Sequence, residues 1–360
     1  MSAQSGIPTE PIGSIPRPPE LVAAVDAVQR GQLKRGALEG LYDAAIRDTI
    51  RRFEASGSPV VTDGEQRKHD SFWTYGVNGL PNLRQGGFSV QFSGGHSRVL
   101  PVLVEGPFRV ATYADAFLAA ARQLTTRPVK QAVISASALS LLYPDEPLPG
   151  YPREVFLEDV LTEHVTEIRR CLALGAHVVQ VDFTEGRLAA KIDPSGELLA
   201  GFVDLNNMAL ERLEPEERQR IGVHSCPGGD CDSTHSADVD YASLIPSLFE
   251  IEAKNFYLQI ASERDRPRVL ALIARHLKPG QRVFVGVIDP INPVIETAEI
   301  VRDRVLEAAR FIRPENLGTT DDCGFSPFCD DLSTTRDVAF AKITARVRGT
   351  AMASRILGVG

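Results

Sequence analysis

Eight short β-branched apolar runs, separated by longer amphipathic helical stretches, predict an α/β chain folded as a (β/α)8 (TIM) barrel. Two further observations point the same way. The 360 residues suit one large barrel with insertions, and chemically able side chains recur at the carboxyl ends of the expected strands. A doubly wound open sheet leaves a similar alternation, so the barrel rests on the number of units.

The expected strands are Pro11–Ser14, Pro59–Asp63, Val129–Ser135, Val178–Phe183, Ile221–His224, Phe256–Ala261, Val283–Asp289 and Leu317–Asp321. Two amphipathic helices, Glu20–Arg30 and Leu38–Ala55, lie between the first pair. Helices Ala111–Leu124, Arg153–Leu174, Leu205–Leu213, Tyr241–Ala253, Arg266–His276 and Glu296–Phe311 fill the later intervals. Between the second and third strands, Gly79–Val104 carries Gly-Gly pairs and the alternating run FSVQF, which reads as a hairpin excursion (79–104) from a single domain. No repeat, low-complexity tract or interdomain linker interrupts the chain.

Composition narrows the function classes. At 43% apolar and 24% charged, the chain can bury a substantial core. A net charge of −8 and an isoelectric point near 5.5 argue against a nucleic-acid or anionic-membrane surface and favour small-molecule partners. No apolar run approaches the ~18 residues of a membrane span. The start, MSAQSGIPTEPIGSIPRPPE, has neither a basic n-region nor an apolar h-region, so a cytoplasmic location is expected. Five cysteines in a long chain without a signal peptide point to reduced thiols, metal ligands or core residues rather than a disulfide framework. A homo-oligomer is left open.

Barrel enzymes place their sites at the carboxyl ends of the strands. There the sequence sets Ser14 after the first strand, Asp63 and Glu65 after the second, and Asp182 and Glu185 after the fourth. His224 and Cys226 follow the fifth, Gln259 lies on the sixth, Asp289 follows the seventh, and Asp321, Asp322 and Cys323 follow the eighth. A His-x-Cys pair closing one strand and a cysteine closing another suit zinc, which takes imidazole nitrogen and thiolate sulfur in tetrahedral array. A neutral thiol is a poor nucleophile, and zinc deprotonates a bound thiol at neutral pH while leaving it reactive.

Five segments resemble, in order, motifs of the cobalamin-independent methionine synthases. They are Ile12-Gly13-Ser14-Ile15-Pro16 (IGSFP), Gly64-Glu65 (GE), Gln180-Val181-Asp182 (QIDEP), His224-Ser225-Cys226 (HxC) and Asp322-Cys323-Gly324 (DCG). The resemblance covers nearly the whole chain and corresponds to the catalytic half of the long enzymes, which carry an additional N-terminal barrel. It implies Zn2+ held by His224, Cys226 and Cys323. It also implies that Ile12 and Ser14 offer donors to the acid group of an amino-thiol, and that Glu65 and Asp182 accept from its ammonium and serve catalysis.

Three departures qualify what the resemblance implies. The family's fourth metal ligand, a glutamate on the sixth strand, falls at Gln259, or at Ile260 without a gap. Three ligands with an open position resemble instead the epoxyalkane:coenzyme M transferases of the same superfamily. The family's DxHS reads Asp289-Pro290-Ile291-Asn292, without its histidine. TGPVT reads Ile134-Ser135-Ala136-Ser137-Ala138, and the tryptophan that packs on a pteridine is absent, leaving Tyr143 or Trp73 to stack and a folate donor in question.

Other residues have bland readings. Cys231 and Cys329 lie close to the expected ligands, so a structural zinc site made of cysteines alone competes with the catalytic one. Cys171 reads as core. His164, His177 and His276 read as satisfied or solvated, while His69 and His235 either border the site or lie in loops. Asp321-Asp322 and Asp330-Asp331 read as solvated or capping acids, with Asp322 able to steady a metal ligand. Arg17, Arg67 and Lys68 are either anion binders or ordinary surface charges. The expected function is a zinc-dependent methyl- or alkyltransferase acting on a small, homocysteine-like thiol with an unidentified alkyl donor. The alternatives are an epoxide:thiol transferase or lyase of the coenzyme M type and a non-catalytic zinc- or thiol-binding relative.

Overall fold

The computed structural model describes residues 6–68 and 71–359. Six parallel strands form one sheet with neighbours in chain order: Gln131–Ile134, Val179–Asp182, Ile221–Ser225, Asn255–Leu258, Arg282–Ile288 and Leu317–Asp321. These are the third to eighth strands of an α/β barrel. Nearly every residue in them is buried, as expected of parallel strands covered on both faces.

In place of the first two strands stand single bridges, the first at Thr9, ahead of the expected Pro11–Ser14, and the second at Val61, within Pro59–Asp63. Thr9 pairs in parallel with Thr319 of the eighth strand, and Val61 with Val129 ahead of the third. The two segments meet each other where Ile15 N–H donates to the Gly64 carbonyl at 3.0 Å and Thr62 Oγ1 donates to the Gly13 carbonyl at 2.8 Å. The two segments thus fill the gap between the third and eighth strands. They form bridges rather than ladders because Pro8, Pro11 and Pro59 carry no amide hydrogen. Inside the ring, Ile12, Val178, Tyr257 and Phe284 pack as a small apolar cluster.

Helices pack outside. Glu39–Ala55, Arg153–Ala173 and Ala298–Ala308 occupy stretches expected to be helical, as does Arg266–His276, capped where Asp265 accepts from Arg268 N–H at 3.1 Å. The stretch Tyr241–Ala253 is instead a 3-10 turn, Tyr241–Ser243, followed by the short helix Ile245–Leu248. Pro246 is the cause, since proline is tolerated only in a helix's first turn. The helix expected at Leu205–Leu213 runs earlier, Glu197–Leu210, and a long helix, Arg336–Ile356, closes the chain against Ala298–Ala308.

Between the second and third strands, Leu83–Arg84 pairs antiparallel with Val102–Leu103, and inside that ladder Ser89–Gln91 pairs with Ser97–Val99. Among the described residues no helix is long and apolar enough to cross a membrane.

Candidate active site

The carboxyl rim brings three potential ligands together. The ligand atoms of His224, Cys226 and Cys323 all lie within 4.8 Å of one another. His224 lies near the end of the fifth strand, Cys226 directly after it, and Cys323 follows the eighth. The two sulfurs are 3.1 Å apart. His224 Nδ1 faces the Tyr257 carbonyl at 3.1 Å, which places the ring hydrogen on Nδ1 and leaves the Nε2 lone pair free. Nε2 is buried and has no hydrogen-bond partner among the described residues. An orphaned imidazole nitrogen beside two thiols is a donor set that a metal ion satisfies.

Backbone N–H groups serve the sulfurs as well. Gly228 N–H donates to Cys226 Sγ at 3.3 Å, and Gly229 N–H reaches Cys323. Position 228 requires glycine: its φ is +68°, and a Cβ there would overlap the His235 ring. Burial pushes the Cys226 thiol up, while Cys323, accepting from Cys226 and lying beside His224, is held well below the usual thiol range.

Next to these groups opens a small pocket, with His224 and Cys323 in its wall together with Ile12, Ser14, Glu65 and Asp182. All the site residues expected from the sequence therefore gather in one place, with Cys226 fully buried directly behind the pocket. Glu65 stands in the left-handed region at φ +57°, a conformation costing a non-glycine residue about 1–2 kcal/mol. The conformation is held by Asp63 Oδ1, which accepts from Glu65 N–H at 2.9 Å, and by Arg17, which donates to the Glu65 carbonyl at 2.9 Å. The Glu65 carboxylate lies 3.3 Å from Lys68 Nζ, both side chains buried. Asp182 Oδ1 accepts from Gln180 Nε2 at 2.7 Å, and burial pushes the Asp182 carboxyl up to about 6 against the pull of nearby His224.

Ser14 is fitted against Gly324: its Oγ accepts from Ser326 N–H at 3.2 Å, and a Cβ on Gly324 would overlap that oxygen. The glycine of Asp322-Cys323-Gly324 is therefore required by close approach rather than by its own φ. Asp322 organises the sixth-strand loop. Its Oδ1 accepts from Ile260 and Ala261 N–H at 2.9 and 2.8 Å, and its Oδ2 from Ser262 N–H and Oγ at 2.8 and 2.7 Å.

Gln259 takes no place among the ligands. Its Oε1 accepts from buried Arg187 at 2.6 Å and its Nε2 donates to Ser262 Oγ at 2.6 Å, so both ends of the amide are engaged. Asp289 and Asn292 form a turn in which Asp289 Oδ1 accepts from Ile291 and Asn292 N–H at 3.1 and 3.3 Å. Ser135 and Ser137 donate to buried Glu185, which burial raises to about 7. Tyr143 packs on Phe156 at 5.1 Å, while Trp73 lines the thiol pocket.

The remaining readings resolve individually. Arg17 is buried, holding the carbonyls of Glu65, Lys68 and Phe328, and Lys68 lies buried under Tyr75 at 4.8 Å. Arg67 pairs outward with Glu39 and Asp43. None of the three is available to an anion. Cys329 sits in an apolar cluster with Leu21, Leu38 and Tyr42, and Cys231 lies beside Asp230, so neither belongs to the His224 group. Cys171 is core. His164 is buried, His177 reaches Glu10 at 3.2 Å, and His235 packs edge-on to Phe92 at 5.5 Å. His69 lies outside the described residues. Sequence reasoning missed the aromatic wall of Phe72, Phe92 and Phe328: Phe72 and Phe328 lie in loops with no periodic signal, and the alternating run that ends at Phe92 marks a hairpin without showing that it folds over the site.

An α/β barrel that gathers an imidazole and two thiols at its carboxyl rim, beside two buried carboxylates, defines the class: a barrel built around a nitrogen-and-sulfur donor set. The chain belongs to the cobalamin-independent synthase catalytic-domain family, whose model matches residues 7–338. It is 26% identical over 331 residues to a 5-methyltetrahydropteroyltriglutamate–homocysteine methyltransferase of Nitratidesulfovibrio vulgaris, covering 88% of this chain and 38% of that one. It is 23% identical over 344 residues to a methionine synthase of Sulfurisphaera tokodaii, covering 96% and 91% respectively. The chain thus spans about two fifths of the first of these relatives and nearly all of the second. Among solved structures, a B12-independent methionine synthase from Shewanella sp. W3-18-1 in complex with selenomethionine superposes with a TM-score of 0.78. At 21% identity, over 98% of this chain and 99% of that one, that likeness shows the TIM-barrel fold.

Proposed function

We propose that the chain is a zinc-dependent alkyltransferase that moves a methyl or other small alkyl group onto the sulfur of an amino-thiol resembling homocysteine. The observation that carries this reading is the convergence of His224 Nε2, Cys226 Sγ and Cys323 Sγ at a pocket that also holds Glu65 and Asp182. His224, Cys226 and Cys323 would hold the zinc, leaving one tetrahedral position for the substrate. Bound there, zinc supplies the thiol with a low pKa at neutral pH.

The chain's own residues do the rest. Ile12 and Ser14 receive the acid group, and Glu65 and Asp182 accept from the ammonium, aiming the sulfur at His224, Cys226 and Cys323. Lys68, 3.3 Å from the carboxylate, holds Glu65 in place. Positioning of this kind turns a bimolecular displacement into a near-unimolecular one. The sulfur then forms a bond to the donor's alkyl carbon, the donor leaves with the electron pair of the broken bond, and the thiol proton has already passed to solvent. A second cleft, bordered by Gln259, Asp289 and Ile291, shares Gly229 and Cys323 with the thiol pocket. The alkyl donor is assigned to that side.

The pocket's charge favours an amino-thiol over a sulfonate thiol such as coenzyme M. Among the described residues its wall has two carboxylates and no arginine or lysine: Arg17 is engaged with backbone carbonyls, and Lys68, which does not line the pocket, is paired with Glu65 and leaves Asp182 without a lysine or arginine partner. Asp182→Asn should therefore weaken an amino-thiol acceptor far more than a sulfonate thiol. Equal losses on both would reject the acceptor assignment.

A further inference from the structure

The loops after Cys226 and Cys323 meet directly, through Gly229 N–H at Cys323 and through Cys231 N–H, which donates to Asp331 Oδ2 at 3.3 Å, and a side chain from the hairpin between the second and third strands bridges them again. Arg98, on Ser97–Val99, forks onto Asp230 through Nε to Oδ2 at 2.7 Å and Nη2 to Oδ1 at 3.1 Å. The same guanidinium reaches Asp330 through Nη1 at 2.9 Å and Nη2 at 2.8 Å. Its central carbon lies 4.4 Å from the centre of the Phe328 ring, which lines the thiol pocket. Asp230 follows Cys226 by four residues and Asp330 follows Cys323 by seven.

The Asp230 side chain is fully buried, so its oxygens are served by protein partners rather than by solvent. Apart from Arg98 these are His96 Nε2 at 2.8 Å and the Cys231 thiol at 3.3 Å. The cluster His96, Asp230 and Cys231 has the donor types of a second metal site. Arg98 already occupies both Asp230 oxygens, which makes the cluster an anchor rather than an empty ligand set. Between Asp230 and Cys226 lie Gly228 and Gly229, whose N–H groups meet the two sulfurs. A buried carboxylate deprived of its cation takes up a proton or moves toward water. Either change would shift the glycines and alter how the sulfurs are presented.

We propose that Arg98 is a positioning residue for the His224, Cys226 and Cys323 site, joining the loop after Cys226 to the loop after Cys323 and fixing the spacing of the two sulfurs. The hairpin is then part of the site's framework as well as a wall of its pocket. Partners that orient ligands from outside the metal shell change metal affinity by about 10–100-fold when removed. Planar bidentate pairing is a property of arginine that lysine does not reproduce.

This inference rests on the metal reading above, and one experiment separates the two. Zinc affinity of the full chain is measured by chelator competition, and the cobalt(II)-loaded protein is examined for its thiolate charge-transfer bands. Arg98→Ala should weaken zinc by about 10–100-fold and change the cobalt spectrum, while thermal unfolding of the metal-free protein reports any general loss of fold. Arg98→Lys should restore only part of the affinity, and Asp330→Ala, at an exposed position, should move affinity and spectrum in the same direction. If the unaltered protein takes no zinc, the metal reading fails. If it binds zinc but Arg98→Lys and Asp330→Ala both keep its affinity within about twofold and its cobalt spectrum, the positioning role is overturned, whether or not Arg98→Ala folds.

Discussion

Asp322→Ala should destabilise the protein by about 2–4 kcal/mol, because the carboxylate holds four donors of the sixth-strand loop. Two of them, the N–H groups of Ile260 and Ala261, belong to buried residues, and each loses its partner at about 1–2 kcal/mol. Ser262 is exposed, so water can replace the carboxylate there at little cost. Asp322→Asn keeps an oxygen for Ile260 and Ala261 and turns its amide toward Ser262, so it should cost about half as much. Urea unfolding monitored by circular dichroism, with parent and both variants at one pH, gives the comparison. An alanine variant within about 0.5 kcal/mol of the parent would refute the account of this loop, since surface-like tolerance is incompatible with two orphaned buried donors.

Three other outcomes follow from the same geometry. Burial lowers the His164 imidazole from 6.5 to about 4, so the folded state disfavours its charged form. Its stabilising contribution is present above 6.5 and is lost as the pH falls toward about 4; the full shift is worth about 3 kcal/mol. Urea unfolding of His164→Leu across pH 4–7 should show a shallower slope than the parent, and parallel slopes would contradict it. Gly324→Ala places a methyl group against Ser14 Oγ, so unfolding should be easier by about 1–3 kcal/mol and the acceptor thiol should bind less tightly, with unchanged values in both assays counting against the fit. Gln259→Glu gains an ion pair with Arg187 and stays engaged there, so zinc affinity by chelator competition should be unchanged; a large rise would mean that the new carboxylate enters the metal shell.

The site was legible where chemistry fell at strand ends. Ser14, Glu65, Asp182, His224 and Cys323 are far apart in sequence, yet a parallel barrel delivers every strand's carboxyl end to one rim, so placing the strands was enough to group the residues. The third to eighth strands were legible because doubly buried strands read as continuous apolar runs. Proline reduced the first two to bridges and broke the helix expected after the fifth strand, showing that a missing amide hydrogen outweighs an apolar pattern. Arg98 and Asp330 carried no signal: a lone arginine and an acidic pair read as solvated, and their pairing across the rim depends on how the hairpin folds back. Lys68 and Arg17 were ambiguous for the same reason, since only tertiary packing shows that they are buried struts.

The central claim is tested most directly by zinc-edge X-ray absorption of the purified chain, with the metal content of Cys226→Ser and Cys323→Ser measured alongside. About one zinc per chain is expected, with two sulfur scatterers, one imidazole and one exchangeable light ligand, which a third sulfur replaces when the amino-thiol is added. Loss of zinc in both serine variants would agree with the three-ligand site. Full zinc retention in both, or a sulfur count that does not change with the thiol, would contradict it.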